Sequence, residues 1–370
     1  MKDKITATSL IKLTKNILVD NIIPNISSTQ INEFKIGKNL FYEVTDDKLK
    51  YIQRIINIVF QKIIPINNAS VAFRKNLSYL HLFEPHRKNY YFLRLDITSF
   101  FHSISIDDVK MVLEDYFDTK NKFIYKNKKQ AIVDGFINLI SYKIPKNSTN
   151  AKFKNKEIIP MGFITSPVIS NIIFRQIDIQ IQKFCSQRNI TYTRYADDML
   201  FSSGKNSKFV HSDTFEKEIS ILVGQKGFKL NQKKTIRKEH TISLNGYTIQ
   251  HSKYKENTLG LREKILINEF RLSNKKINII SKLIYMVEIQ NQNPKYILKK
   301  LFNYALPLDI PRDKQAQYEQ DQLKNKFSGY RSYLLSFIQF NKKYNILQDD
   351  TKKKYSFIID KLSTQIDRLL

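Results

Sequence analysis

The sequence has almost no cysteine and no long uncharged apolar run. Cys185 is the single cysteine among 370 residues, which excludes a disulfide framework and a zinc site built from several thiolates. The first 24 residues interrupt their apolar positions with charges at helical spacing and lack the apolar core of a signal peptide. No uncharged stretch reaches the roughly 20 residues that a membrane-spanning helix needs. These absences predict a cytoplasmic protein that does not enter a membrane.

Acidic residues are scarce relative to basic ones. The chain has 62 Lys and Arg against 34 Asp and Glu, a formal net charge of +28. A charge of this size favours a polyanionic partner, and nucleic acid is the first candidate. Some of the 20 Tyr and 25 Phe would supply stacking surfaces for bases, although most are expected in the core. The alternative is a general bias toward Lys, Asn and Ile, in which the charge is only a solvated surface.

Local patterns predict the order of the elements. The length predicts several subdomains around one main core. Residues 1–70 have apolar positions at a helical period, and residues 90–96 alternate as a strand does. Further helices are predicted at 107–117, 131–141, 168–184 and 214–224. Short strands are predicted around 229–230 and 242–249, and the chain after residue 260 is predicted to be almost wholly helical.

Two adjacent acidic residues lie between two strand-like segments. Asp197 and Asp198 separate apolar runs at 190–194 and 199–202, and Asp96 ends another apolar run earlier in the chain. Adjacent carboxylates repel and raise each other's pKa, so an ordinary fold has little reason to bring a third acid beside them. A pair of divalent cations would relieve this repulsion and serve an in-line phosphoryl displacement. The alternative is that Asp197 and Asp198 are ordinary turn residues.

The order of the motifs resembles that of bacterial reverse transcriptases, in the group that contains retron, group II intron-like and phage-defence-associated (abortive-infection, DRT-type) enzymes. The similarity extends from about residue 70 to residue 250. It rests on LDITSFF at 95–101, PMGFITSP at 160–167, YADD at 195–198, GFKLN at 227–231 with KKT at 233–235, and LNGY at 244–247. Five motifs in this order carry more weight than any single one.

The resemblance implies an α+β right-hand polymerase, with interleaved fingers and palm, an antiparallel palm sheet and a helical thumb. The implied ranges are N-terminal helices and fingers at 1–90, palm at 91–110, fingers at 111–158, palm at 159–254 and thumb at 255–370. It also implies two Mg²⁺ ions as cofactor, with Mn²⁺ as the alternative. The implied metal ligands and catalytic groups are Asp96, Asp197, Asp198, the carbonyl of Ile97, and Lys234 as the group that protonates pyrophosphate.

Two further sets of contact residues follow from the resemblance. Contacts to the incoming deoxynucleotide are expected from Arg74, Lys75, Ser99, Phe100, Phe101, Met161 and Gly162. Contacts to primer and template are expected from Tyr195, Gly246, Tyr247, Lys324, Lys326 and Arg331. The ring of Phe101 would clash with a ribose 2′-hydroxyl, although a core position beside Phe100 is the alternative. Met161 stands where the family usually has Gln, and a thioether cannot donate a hydrogen bond.

The implied function is RNA-directed DNA synthesis from a 3′-hydroxyl, with a dedicated structured non-coding RNA, an RNA/DNA duplex and dNTPs, in bacterial defence against phage. The sequence leaves open whether the protein also has a partner, which could be a separate effector chain, a second reverse transcriptase chain or a second copy of itself in a homo-oligomer. Retron enzymes carry two further segments, one before the first motif and one after the fourth. This chain keeps only His86 of the first segment and Gly246 of the second, which favours a defence-associated relative over a standard retron enzyme. Two alternatives remain: protein-primed or untemplated DNA synthesis, which Met161 favours, and a catalytically idle RNA-binding scaffold, which the three intact aspartates oppose.

Overall fold

The chain divides into two compact units that both contain helices and antiparallel strands. The computed structural model describes residues 4–14, 26–37, 39–119, 123–125, 128–256, 262–307 and 310–368. The first unit comprises Met1–Leu82 and Tyr91–Arg237, and the second comprises Phe83–Tyr90 and Lys238–Leu370. This mixture of elements confirms the expected α+β class. None of the described helices is long and apolar enough to cross a membrane.

Helices and strands alternate through most of the chain. The helices are α1 (Ala7–Thr14), α2 (Asp47–Ile63), α3 (Leu80–Phe83), α4 (Ile106–Tyr116), α5 (Ile132–Ile140), α6 (Ser166–Ser186), α7 (Asp213–Gly224), α8 (Asn274–Glu288), α9 (Pro294–Phe302), α10 (Gln315–Tyr344) and α11 (Asp349–Arg368). The strands are β1 (Ile31–Ile36), β2 (Asn39–Val44), β3 (Tyr91–Asp96), β4 (Phe123–Tyr125), β5 (Lys128–Gln130), β6 (Tyr142–Lys143), β7 (Glu157–Ile158), β8 (Ile190–Tyr195), β9 (Asp198–Ser203), β10 (Ile236–Glu239), β11 (Thr241–Leu244), β12 (Tyr247–Glu256) and β13 (Arg262–Leu272).

The first unit contains a hairpin where the sequence predicted only helices. β1 and β2 pair antiparallel, and Phe34 stacks on Phe41 with ring centroids 5.8 Å apart. Gly37 turns the chain with φ of 60°, a conformation that glycine adopts without strain. Helix α2 follows, begun by Asp46, whose carboxylate accepts the Leu49 N–H at 2.9 Å. The expectation of helices throughout residues 1–70 was therefore wrong at the hairpin.

One four-stranded sheet forms the centre of the candidate site. Its strand order is β10, β3, β9, β8, with β9 antiparallel to both neighbours. Apolar residues of β3 and β9, such as Leu93, Leu95 and Phe201, are buried in the core. Helix α6 packs in the same core through Phe174, Ile177 and other residues. The predicted helices at 107–117, 131–141, 168–184 and 214–224 are confirmed as α4 to α7.

The second unit combines a three-stranded sheet with helices. Strands β11, β12 and β13 form an antiparallel sheet, with an irregularity between Gln250 and Ser252. The prediction of an almost wholly helical segment after residue 260 was wrong at β13. Pairing with β12 decides the conformation of this segment, because the local sequence preference for a strand is weak. The division at Arg237 groups this sheet with α8 to α11. The assignment of residue ranges to fingers, palm and thumb stays a prediction.

Candidate active site

Strand pairing brings three aspartates to one end of the central sheet. Asp96, the last residue of β3, is the Cα partner of Asp198, the first residue of β9. Asp197 lies in the turn between β8 and β9, and its carbonyl accepts the N–H of Ile97 at 3.1 Å. The turn requires an unusual backbone at Ala196, where φ is 54°. Residues separated by about a hundred positions thus meet at the same edge.

Two cationic side chains form ion pairs with two of these acids, Asp96 and Asp198. Arg94 lies two residues before Asp96 on the same face of β3, and its Nη2 donates to Asp96 Oδ2 at 3.0 Å and also to Asp198 Oδ1. Nζ of Lys234 donates to the same Asp96 oxygen at 3.1 Å. Asn231 supports Asp96 by donating its backbone N–H to the Asp96 carbonyl at 2.8 Å. Sequence reasoning missed the roles of Arg94 and Asn231, although the two-residue spacing of Arg94 and Asp96 on one strand was a signal.

The environment disfavours negative charge on two of the aspartates. Burial raises the pKa of Asp197 to about 6, and the negative charge of Asp198 contributes next. Burial also raises the pKa of Asp198, while the positive charge of Arg94 opposes that rise. A divalent cation would relieve the same repulsion, and an all-oxygen set of donors suits Mg²⁺ or Mn²⁺. The three aspartates therefore have the type of donor atom that such an ion prefers.

The carboxylates are not arranged as a ready set of metal ligands. Within the described ranges, no three His, Cys, Asp or Glu side chains converge in a way that would hold a metal ion. Instead, the carboxylate of Asp96 contacts Arg94 and Lys234, and the carboxylate of Asp198 contacts Arg94. Binding a cation would require these side chains to rearrange.

A cleft of about 440 Å³ adjoins the acids. Its walls come from the hairpin β1–β2, the segment after β3, the loop before β7 and the segment that contains Lys234. The lining residues are Asn39, Leu40, Asp96, Ile97, Thr98, Ser99, Phe100, Phe101, His102, Asn150, Lys152, Phe153, Met161, Asp197, Asn231 and Lys234. The cleft contains four of the seven residues expected to contact a nucleotide, namely Ser99, Phe100, Phe101 and Met161.

Lys152 is a cleft residue that sequence reasoning missed. Its Nζ lies 3.3 Å from Ser99 Oγ and 5.2 Å from the centre of the Phe153 ring. By contrast, Arg74 donates from Nη1 to the carbonyls of Ser70 at 3.0 Å and Asn67 at 3.3 Å. Neither Arg74 nor Lys75 lines the cleft. In this structure Lys152, rather than Arg74 or Lys75, therefore supplies a positive charge to the cleft.

The backbone of Met161 is held from two sides. Its N–H donates to Nε2 of His102 at 3.3 Å, and its carbonyl accepts the N–H of Tyr42 at 2.8 Å. Burial, with a smaller effect from the charge of Lys152, lowers the pKa of His102 to about 4, so the neutral ring accepts this bond. Gly162 follows with φ of 113°, and a Cβ there would lie 2.6 Å from the Tyr42 carbonyl oxygen. Glycine is therefore required at position 162 because the backbone there lies close to the backbone of Tyr42.

A buried network anchors the turn that carries Asp197 and Asp198. Arg194 is fully buried and donates to Asp178 of α6, with Nη2 2.7 Å from Oδ2 and Nε 2.9 Å from Oδ1. Its Nη1 donates to the carbonyl of Ala196 at 2.9 Å, directly before Asp197. Tyr195, expected at the primer, packs its ring 4.6 Å from that of Tyr79. The network links the core helix to the acidic turn.

The remaining expected contact residues lie in the second unit. Gly246 turns the chain between β11 and β12 with φ of 88°. Tyr247 is 8% exposed and packs against aromatic rings that include Phe83 and Phe337. The other three residues lie on α10: Lys324, Lys326 with its Nζ 4.9 Å from the centre of the Phe302 ring, and Arg331 with its Nε 2.7 Å from Ser363 Oγ.

Comparison with known proteins identifies the family. The family model described as "Reverse transcriptase (RNA-dependent DNA polymerase)" matches residues 41–249, more than half of the chain. The chain belongs to the reverse transcriptase family. This match confirms the resemblance drawn from the motifs and the expected right-hand polymerase fold. It covers the three aspartates, strand β11 and the cleft residues other than Asn39 and Leu40.

Similar reverse transcriptases come from retrons of Escherichia coli. The retron Ec73 enzyme is 32% identical over 194 residues, which is 50% of this chain and 56% of that protein. The retron Ec83 enzyme is 27% identical over 280 residues, 72% of this chain and 84% of that protein. The chain thus spans little more than half the length of the first relative. Both relatives are retron enzymes, although the sequence had favoured a different defence relative.

Solved telomerase structures are more distant. Apo telomerase from Candida tropicalis, truncated from its C-terminal domain, has a TM-score of 0.40 at 12% identity, over 66% of this chain and 58% of that one. Telomerase from Candida albicans in complex with a fragment of telomeric RNA has a TM-score of 0.42 at 11% identity, over 98% and 63% of the two chains. Scores this low support no further conclusion about this reverse transcriptase.

Proposed function

We propose that this protein is an RNA-directed DNA polymerase that adds deoxynucleotides to a 3′-hydroxyl on an RNA template. One observation carries the proposal. Asp96, Asp197 and Asp198 meet at one end of the sheet beside a cleft of about 440 Å³, in a chain of the reverse transcriptase family. Three buried or partly buried carboxylates beside such a cleft suit nucleotidyl transfer.

The proposed metal ligands are the three aspartates and the carbonyl of Ile97. Two bound Mg²⁺ ions, or Mn²⁺, would stabilise the charge on the attacking and leaving oxygens of the displacement. Lys234 is the proposed proton donor to the departing pyrophosphate, and its Nζ, 3.1 Å from Asp96 Oδ2, supports that role. Asn231 orients Asp96 through its backbone N–H.

The proposed nucleotide site is the cleft. Phe101 lines it and packs its ring 5.4 Å from Phe100 and 6.5 Å from Phe73, so the ring has little room to yield to a 2′-hydroxyl. Lys152 and Ser99 are the proposed triphosphate contacts, because an ammonium group beside a hydroxyl suits phosphate oxygens. Arg74 would join them only if it left the carbonyls that it now binds, and Lys75 stays a proposed contact from the same segment. Met161 completes the wall, and Gly162, which follows it in the chain, stays a proposed nucleotide contact.

The proposed partners are a structured non-coding RNA and an RNA/DNA duplex. The net charge of +28 and the retron names of the relatives support them. Tyr195, Gly246, Tyr247 and the basic residues of α10 stay the proposed contacts to primer and template, with phosphates as the main targets. We further propose a role in bacterial anti-phage defence in the cytoplasm, with a separate effector chain, a second reverse transcriptase chain or a second copy as further partners.

Untemplated or protein-primed DNA synthesis is the second candidate. Met161 favours it, because this residue lines the cleft and its thioether offers no hydrogen-bond donor to a nucleotide. An idle RNA-binding scaffold is less well supported, since three mutually repelling acids would then have no use.

A primer-extension assay separates these functions. Purified protein is mixed with Mg²⁺, the four dNTPs and an RNA template annealed to a DNA primer. Products that follow a change of template sequence support the proposal, whereas a fixed product without template supports the second candidate. No incorporation by folded protein, with added primer or with copurified RNA, would overturn both. Asp197→Asn is the control and is expected to abolish synthesis while RNA stays bound.

A further inference from the structure

Arg94 makes an unusual set of contacts for a residue of a central strand. Its guanidinium donates to the carboxylates of Asp96 and Asp198, and its Nη1 donates to the carbonyl of Lys234 at 3.1 Å. The side chain of Arg94 is only 15% exposed, and those of Asp96 and Asp198 are 3% and 18% exposed. One planar group therefore joins two strands and the segment that contains Lys234.

These contacts compensate charge that would otherwise be buried without a partner. Arginine stays ionised under all ordinary conditions, and its fork of donors matches carboxylate geometry. Lys234 also contacts Asp96, but its side chain is 53% exposed and reaches only one of the two carboxylates. A buried carboxylate without a partner is strongly unfavourable. Arg94 is therefore the main internal counter-charge of the acidic cluster.

The same oxygens are the ones that a divalent cation would need. Asp96 Oδ2 and Asp198 Oδ1 both accept from Arg94, and no three acidic or imidazole side chains of the described chain already converge as metal ligands. A cation and a guanidinium cannot both take these positions without repelling each other. Occupation by one consequently disfavours the other.

We propose that Arg94 is a positioning residue that acts as a built-in counter-ion, holding Asp96 and Asp198 together until a divalent cation displaces its guanidinium. This inference rests on the proposed function, because it assumes that the aspartates take a metal. It goes beyond that function because it states that the Arg94 side chain and the divalent cation compete for the same carboxylate oxygens. The competition makes metal affinity weaker than the three carboxylates alone would give, and it keeps the metal-free fold intact.

The test uses Mn²⁺, whose free-ion paramagnetic resonance signal falls when the ion binds. Binding is measured on the full chain without nucleotide or nucleic acid, so the result does not depend on polymerase activity. The variants are Arg94→Met, which removes the charge, and Arg94→Lys, which keeps it as a point charge that cannot reach both carboxylates in the same way. Arg54→Met on α2 is the matched control, since Arg54 is an exposed arginine away from the site. Thermal unfolding is followed in EDTA and in saturating Mn²⁺.

We expect Arg94→Met to bind Mn²⁺ more tightly, on the order of tenfold, which corresponds to loss of one competing charged hydrogen bond. Its melting temperature should fall in EDTA and recover in Mn²⁺, because the ion replaces the missing counter-charge. Arg94→Lys should lie between Arg94→Met and the wild type, and Arg54→Met should match the wild type. Adding Asp197→Asn should remove the gain in affinity.

Two results would overturn the inference. One is an unchanged or weaker affinity for Mn²⁺ in folded Arg94→Met. The other is a loss of thermal stability that is equal with and without Mn²⁺, which would make Arg94 a purely structural residue. If Arg94→Met does not fold in EDTA, then Arg94→Lys decides the question through its affinity alone. Failure of primer extension with normal competition would instead count against the proposed function.

Discussion

The guanidinium of Arg194 and the carboxylate of Asp178 form a fully buried ion pair between β8 and α6. Arg194 also donates to the carbonyl of Ala196, so the pair fixes the turn that presents Asp197. Tyr192 adds a hydroxyl donor to the same carboxylate at 2.7 Å. Charge buried this deeply is stable only while both partners are present.

Asp178→Asn is expected to destabilise the fold by roughly 3–5 kcal/mol, because it leaves the Arg194 charge buried and unpaired. Urea unfolding of the wild type and the variant measures the loss. The double variant Asp178→Leu with Arg194→Met removes both charges and should be more stable than Asp178→Asn alone. A loss below about 1 kcal/mol would show that the charge finds another partner.

Gly162→Ala is expected to disturb the cleft. The φ of 113° is costly for any residue with a Cβ, about 1–3 kcal/mol, and the new methyl group would meet the Tyr42 carbonyl oxygen. Thermal unfolding and primer extension should both show losses. Gly204→Ala is the matched control, since nothing lies within 4 Å of a Cβ there. Equal behaviour of the two variants would contradict the close approach.

Lys152→Ala should raise the KM for dNTPs by about tenfold, the cost of one charge-assisted hydrogen bond. The effect on kcat should be smaller if Lys152 binds the triphosphate in the ground state as well as in the transition state. Steady-state primer extension gives both constants. Lys154→Ala, an exposed lysine of the same loop that does not line the cleft, should leave them unchanged. The same KM change in both variants would indicate a general charge effect.

Phe101→Ala should admit ribonucleotides. Removing the ring opens the part of the cleft where a 2′-hydroxyl would lie, while Phe73 and Phe100 keep the surrounding packing. The ratio of rNTP to dNTP incorporation on one template should rise by about tenfold, a change in discrimination of the size expected for one steric contact. An unchanged ratio with normal dNTP use would favour the alternative of a core phenylalanine.

The stability of the metal-free protein should depend on pH through Asp197. Its pKa is raised to about 6, so the folded state binds this proton more tightly than the unfolded chain does. In EDTA, the wild type should therefore become more stable relative to Asp197→Asn as the pH falls from 7.5 through 6 toward 4. Urea unfolding of both proteins across this range measures the difference. Saturating Mg²⁺ at pH 7.5 should stabilise the wild type relative to the variant.

The sequence was sufficient for the parts of the site that lie within motifs. Asp96, Asp197 and Asp198 were expected to meet because Asp96 ends one strand-like run and the other two lie between two further runs. The register of β3 and β9 brings Asp96 opposite Asp198. The helices α4 to α7 were predictable because each has a clear apolar period and, in α4, a serine cap. The motifs, the helical periods and the cap depend on residues close together in sequence.

The features that were missed depend on distant residues. β13 pairs with β12 and could not be read from its own charged sequence. Lys152 lies in a loop that is held by the distant residue Glu33, which accepts hydrogen bonds from Ser148 and Thr149. In the sequence, Arg94 resembled an ordinary polar residue on the exposed face of a strand. Its contacts with two acidic residues could be identified only once the strand register was known. Tertiary contacts of this kind leave no local pattern.

The first hairpin has a practical consequence for anyone who shortens this protein. The family match begins at residue 41, inside β2, yet Tyr42 holds Met161, and Glu33 of β1 holds the loop of Lys152. A catalytic fragment cut at the family boundary would lose β1 and leave β2 as an open edge prone to pairing with other molecules. An expression fragment meant for crystallisation should therefore begin ahead of Ile31, where the hairpin begins.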